Sequence, residues 1–196
     1  MGKIFCVMGK STSGKDTIYK RLLADESLGL KRIVLYTTRP IRARETDGVE
    51  YHFCTQEQEE ELQKAGKIIE KRTYDTVYGP WDYFTVDDGS VDLDRDDYLI
   101  IGTLDSYQSL IAYYSTEQVV PIYIEVDDGI RLQRAMRREQ KQEKPRYEEM
   151  CRRFLGDAKD FSDDRIRECG ITKRFVNDES LDDTVREVTE YIWRLK

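Results

Sequence analysis

Near its N-terminus the chain reads Gly9-Lys10-Ser11-Thr12-Ser13-Gly14-Lys15, a glycine, four residues, then Gly-Lys. Residues of these types are suited to holding phosphate. Small side chains let successive backbone N–H groups converge on an anion at the positive end of a helix, and a lysine adds a mobile charge for β- and γ-phosphates. Gly9, Ser11, Ser13, Gly14, Lys15, Asp16 and Thr17 are the candidate triphosphate-binding residues. Asp16 breaks the usual pattern, because a Ser or Thr is expected directly after the lysine. The competing reading is a glycine-rich turn with a solvated lysine. Flanking sequence opposes it: Ile4 to Met8 (IFCVM) reads as a buried strand and TIYKRLL as the first turns of a helix, the setting such a loop requires.

A second constellation lies between Thr37 and Phe53, where Arg39, Arg42 and Arg44 crowd together with Glu45 and Tyr51. Guanidinium forks match phosphate oxygens bidentately, and a tyrosine hydroxyl adds a neutral hydrogen bond, so this is a second phosphate site. The plain alternative is a set of surface charges paired with Glu45 and Asp47, which would contribute little. Further on, Glu70 sits in an apolar context, KIIEK. A carboxylate there could accept from the adjacent N1–H and N2–H donors of guanine, a pair that adenine lacks.

These stretches resemble the guanylate kinases, which are P-loop nucleoside monophosphate kinases, over essentially the whole chain. The resemblance is most specific in TTRPIRARETDGVEYHF, then in AGKIIE, in Tyr78-Gly79 and in FVND from Phe175 to Asp178. It implies that Arg39, Arg42, Tyr51 and Tyr78 take the phosphate of GMP, with Glu45 orienting Arg42, and that Glu70 meets the guanine edge. It further implies that Lys15 and its loop hold ATP with Mg2+, that Asn177 lies beside the adenine, and that Arg134, Arg138 and Arg153 close over the transferring phosphoryl group. Lys15, Arg39 and those three arginines would be the catalytic set. Arg131, Arg137 and Arg152 leave the register of the closing arginines open.

The chain departs from the family in several places. Besides Asp16, Leu35 stands where a serine usually touches guanine, Pro80 replaces the serine after Tyr-Gly, and Ile100 to Thr103 reads Ile-Ile-Gly-Thr in place of Leu-Asp-x-Asp. Asp105, just beyond that strand, and Asp16 are the two candidates for a metal-side carboxylate. Three functions follow: a kinase acting on GMP or dGMP, a kinase of the same fold acting on another nucleoside monophosphate, and a GMP-binding interaction module without turnover.

The elements that must position these residues alternate. Apolar runs at Ile4 to Met8, Ile33 to Tyr36, Tyr98 to Ile101, Val119 to Val126 and Arg174 to Val176, with helical stretches between several of them, predict an α/β fold with a parallel sheet. With the resemblance, this is a P-loop three-layer core formed by 1–33, 87–128 and 162–196, an inserted monophosphate-binding subdomain over 34–86, and a helical lid over 129–161. Within the insert, EYHF and KIIEKRTY read as strands. Thr55 opens a short helix with a capping box, and Gly66 ends it. Pro145 divides the lid into two helices. Ser180 begins a C-terminal helix with Val185, Val188, Ile192 and Leu195 on one face.

Composition narrows the partners. At 196 residues and a net charge of -7, the chain suits one compact domain with an acidic surface, which disfavours a nucleic-acid groove and requires anions to be held by local basic clusters. The four cysteines show no metal-ligand spacing, and neither a transmembrane run nor a secretory signal is evident. A cytoplasmic protein with small-molecule nucleotide partners and no membrane partner is expected.

Overall fold

The structure is a computed structural model and describes residues 1–76 and 79–196. Tyr78 therefore lies outside the described residues.

Strand β1 (Ile4–Met8) is buried along its whole length, as its unbroken apolar sequence requires. Its alternate side chains enter different cores: Ile4, Cys6 and Met8 pack on one face of the sheet, Phe5 and Val7 on the other. It is the central strand of a five-stranded sheet with β2 (Lys31–Arg32), β7 (Tyr98–Ile101), β8 (Val119–Glu125) and β9 (Arg174–Val176), in the order β2-β7-β1-β8-β9, and every pairing is parallel. Parallel neighbours need crossover helices, which supply the outer layers. Helices α1 (Lys15–Ala24) and α7 (Leu181–Leu195) cover the Phe5 face through Ile18, Leu22, Val188 and Ile192. Helices α3 (Leu104–Tyr113) and α6 (Asp163–Glu168) cover the other through Leu104, Tyr107, Leu110 and Ile166.

A second sheet of four strands, β4-β3-β6-β5, draws on β3 (Tyr36–Thr37), β4 (His52–Phe53), β5 (Ile68–Thr76) and β6 (Gly79–Val86). It is mostly antiparallel, with β3 pairing β6 and β6 pairing β5. Helix α2 (Gln56–Lys64) starts on Thr55, whose hydroxyl accepts from the Gln58 N–H while the Gln58 side chain accepts from the Thr55 N–H. Helices α4 (Asp128–Gln140) and α5 (Tyr147–Asp160) flank Pro145. Ser180 caps α7 by accepting from the Asp183 N–H.

The expected strand from Ile33 to Tyr36 is corrected. Residues 31–32 belong to the parallel sheet and Tyr36–Thr37 to the second sheet, so the apolar run is the crossing between them, with Ile33 and Leu35 buried. Likewise EYHF contributes only its last two residues as β4. Among the described residues, no helix is long and apolar enough to cross a membrane.

The thiols differ in burial by position. Burial pushes Cys6 up to about 12 and Cys54 up to about 11, whereas Cys151 is exposed on α5. Since the thiolate is the nucleophile, an alkylating reagent at pH 8 should label Cys151 first and Cys6 only on unfolding; peptide mapping over time would show the order, and early labelling of Cys6 would contradict this packing.

Candidate nucleotide site

The loop between β1 and α1 is gripped from several sides. Gly14, the N-cap of α1, has φ 87, and a Cβ there would come within 2.5 Å of the Asn177 Nδ2, so both conformation and space demand glycine. No side chain caps this helix, and its leading N–H groups are available to an external anion in the ordinary way of helix starts. Lys15 opens α1, with its Nζ 3.5 Å from Asp16 Oδ2; Asp16 itself is exposed, and Thr17 follows in the same turn. Thr12 adopts φ 61, and its hydroxyl bridges to the carbonyl of Arg131 at 3.0 Å.

Ser11 is held at both ends of its backbone. Its N–H donates to Asp157 Oδ2 at 2.8 Å, and its carbonyl accepts from Arg131 Nε at 3.0 Å. Arg131 is buried, pairs with Asp128 and with Asp157 (2.9 Å), and stacks over Phe154 at 4.7 Å. The sequence reading met Arg131 only as an alternative register for a lid arginine and missed Asp157. Asp157 is one of four acids on α5, with Glu148, Glu149 and Asp160, so nothing in the pattern singled it out. Beside the loop, a cleft of about 550 Å³ is lined by Lys10, Glu125, Asp128 and Arg174 among others.

The Asn177 amide donates to the Ser13 carbonyl at 2.8 Å, and its Oδ1 lies 3.4 Å from the Thr184 hydroxyl, so the side chain braces the loop. Ser13 Oγ is buried and, among the described residues, has no partner.

On the second sheet, Arg39 is buried and forms a two-pronged pair with Glu45, Nη1 to Oε2 at 2.9 Å and Nη2 to Oε1 at 2.8 Å. The rings of Tyr51 and Phe53 flank its guanidinium at 5.4 and 5.5 Å. Glu45 therefore orients Arg39 and not Arg42, which gives the carboxylate only its backbone N–H, at 2.9 Å. The Arg39 pair, reinforced by that N–H, holds Glu45 below the usual carboxylate range. Arg42 and Arg44 remain exposed beside the pair. Burial of Tyr51 raises its hydroxyl, which keeps it a protonated donor.

Glu70 is buried on β5 with both oxygens engaged: Thr85 Oγ1 donates to Oε1 at 2.9 Å, and Arg72 Nε donates to Oε2 at 3.1 Å. These contacts fix the carboxylate's orientation and leave acceptor capacity on its oxygens.

The lid arginines separate into two groups. Arg134 is tied at the base of α4, its Nη2 donating to the carbonyls of Asn177 and Asp178 at 2.8 and 3.1 Å. Arg138 and Arg153 line a common cleft of about 470 Å³ near the helix turn, with Arg146 and Glu149. Arg152 and Arg153 both bind Glu149, each through Nε at 2.7 Å, and hold that carboxyl down at about 2. Asp105 is drawn into an ion pair with Arg165 of α6, and among the described residues no hydrogen bond or ion pair joins it to the loop.

Strand, phosphate loop and helix in this order, with an added sheet and a two-helix arm, define a phosphate-loop α/β protein. A family model described as guanylate kinase matches residues 1–195, and the chain belongs to that family. It is similar to the guanylate kinase of Neisseria gonorrhoeae, 34% identical over 123 residues that cover 63% of this chain and 58% of that one. It is also similar to that of Symbiobacterium thermophilum, 43% identical over 79 residues covering 40% and 37%. The chain thus spans only 37% to 58% of these relatives' own lengths in the matched stretches. The crystal structure of guanylate kinase from Anaplasma phagocytophilum aligns with a TM-score of 0.66 at 20% identity, over 98% of this chain and 85% of that one, a likeness of fold.

Proposed function

We propose that the protein transfers the γ-phosphoryl group of ATP to the phosphate of a nucleoside monophosphate, GMP or dGMP, giving ADP and the diphosphate. The observation that carries this reading is the pairing, in one member of the family, of a braced phosphate loop with a buried Arg39–Glu45–Tyr51 cluster on an added sheet. One device is suited to a triphosphate and the other to a monophosphate. Phosphoryl transfer asks little covalent chemistry of a protein, and its work is positioning and charge stabilisation.

In this reading the loop amides and Lys15 hold the donor, while Arg39, Arg42, Tyr51 and Tyr78 hold the acceptor phosphate. Arg138 and Arg153 come down with α4 and α5 over the transferring group. Mg2+, when bound with ATP, would offset charge on the phosphates, and the exposed Asp16 carboxylate beside Lys15 and Thr17 would supply one of the few protein oxygens it requires. Asp105, held by Arg165, is the weaker candidate. We expect Asp16→Ala to raise the Mg2+ concentration needed for half-maximal rate several-fold, measured by titrating the metal at fixed ATP; an unchanged titration would remove Asp16 from that role.

The reaction itself is tested by coupled ADP release with ATP, Mg2+ and a panel of GMP, dGMP, AMP, CMP and UMP. Turnover with GMP or dGMP is the expected result. Binding of GMP without turnover of any monophosphate would overturn it in favour of an interaction module.

A further inference from the structure

The helical arm buries a carboxylate at its turn. Arg131, Ala135 and Glu139 recur every fourth residue and are the buried residues of α4, the stripe that meets α5 through Asp157, Phe154 and Arg146. Glu139 is 6% exposed, and a carboxylate that far from water must be hydrogen-bonded. Its own helix does not favour it, because an acid in the last turn faces the negative pole. The start of α5 does.

Helix α5 begins without a capping side chain of its own. Pro145 precedes it, and Arg146 at the N-cap makes no side-chain capping bond among the described residues. Glu149 stands at the third helical position, from which a capping-box glutamate reaches back to the N-cap N–H. Here its oxygens go elsewhere: Oε2 accepts from Arg152 Nε at 2.7 Å, and Oε1 from Arg153 Nε at 2.7 Å and Arg152 Nη2 at 2.8 Å. Glu139 reaches across the turn instead. Its Oε2 accepts from the Arg146 N–H at 3.0 Å and its Oε1 from Gln142 Nε2 at 3.0 Å, with Arg138 Nη2 3.8 Å away. Arg138 adjoins Glu139 on α4, and Arg153 is held by the glutamate that Glu139 leaves free. One carboxylate thus bears on both arginines of the cleft of about 470 Å³.

We propose that Glu139 is the positioning residue of the arm: by taking the N-cap amide of α5 it ties that helix to the end of α4 and leaves Glu149 to hold Arg152 and Arg153, so that Arg138 and Arg153 reach the transferring phosphoryl group together. This rests on the kinase reading above and deepens it. Transfer depends on charge placed in advance, and a displacement of about 1 Å can cost about 10²-fold. Glu139 itself touches no substrate. Without it, the Arg146 N–H draws Glu149 back into a capping box and Arg153 loses its partner.

The test is kcat and KM for ATP and GMP in Glu139→Ala and Glu139→Gln, since glutamine keeps an oxygen able to accept from the Arg146 N–H. Glu139→Ala should lower kcat at least about tenfold with both KM values within about threefold of native, and Glu139→Gln should recover most of that loss. Hydrogen exchange should find the Arg146 amide protected in the native protein and in Glu139→Gln, and exposed in Glu139→Ala. The proposal is overturned by a kcat within about threefold of native in a folded Glu139→Ala, by a loss carried by KM alone, by a glutamine variant as slow as the alanine one, or by an Arg146 amide that exchanges alike in native and Glu139→Ala. If Glu139→Ala does not fold, Glu139→Asp, one methylene too short for the span, takes its place under the same criteria. If the native protein turns over no monophosphate, the kinase reading fails separately, and the probe becomes adenosine and guanosine joined through five phosphates, which engages both nucleotide sites at once. Binding of that probe at least about tenfold weaker in Glu139→Ala, with ATP and GMP each bound as in the native protein, supports the positioning role. Equal binding of the probe, or none by the native protein, overturns it.

Discussion

Replacing Lys15 with methionine should lower kcat by about 10²–10³-fold, the usual cost of removing one preorganised charge from a developing transition state. The fold should survive. The Lys15 side chain is 20% exposed and its partner is the exposed Asp16 at 3.5 Å, so no buried ion is orphaned by the change. The loop amides, braced by Asp157, Arg131 and Asn177, remain in place, and ATP should still bind, more weakly. The acceptor's KM should change little, because Arg39 and Tyr51 stand on the other sheet. Steady-state rates with each substrate varied in turn, together with a melting curve, would check all of this. Turnover within threefold of native in a folded Lys15→Met would remove the lysine from the transfer step.

What could be read in advance was local. The loop, the capping box at Thr55 and the break at Pro145 each rest on residues within one turn of each other, and the alternating burial of β1 follows from an apolar run long enough to fill both faces. Short strands that pair at a distance were harder. Ile33 to Tyr36 looks like one strand because its residues are apolar, yet they are apolar for covering two different sheets in succession. Partner choice at the site was harder again. Glu45 lies three residues from Arg42 and six from Arg39, and spacing alone favours the nearer. Burial decides otherwise: Arg39, enclosed between two rings, needs a carboxylate to offset its desolvated charge, whereas Arg42 is exposed. That the Asn177 amide donates to the Ser13 carbonyl depends on the close approach of Gly14, which no local pattern announces.

The longest-range feature of the site also carries the second large prediction. Arg131 on α4 and Asp157 on α5 meet across the helical arm and together clasp the Ser11 peptide, one through its carbonyl and the other through its N–H. Their side chains are 1% and 15% exposed, so removing one partner strands a buried charge and costs about 3–5 kcal/mol, at the lower end here because Asp128 remains beside Arg131. For a chain of this size, 3 kcal/mol lowers Tm by about 6–12 °C. Asp157→Ala should show that loss and a raised KM for ATP, since Ser11 and the left-handed Thr12 next to it lose their grip, while the KM for the acceptor holds. Asp157→Asn separates the two effects: its Oδ1 can still accept from the Ser11 N–H, so ATP affinity should return toward native while stability recovers only in part. Arg131→Met combined with Asp157→Ala should be more stable than Asp157→Ala alone, because an apolar side chain replaces a buried guanidinium that has lost one of its two carboxylates over Phe154. Additive losses in that double variant, or a Tm for Asp157→Ala within a degree of native, would show that the pair does not hold the loop.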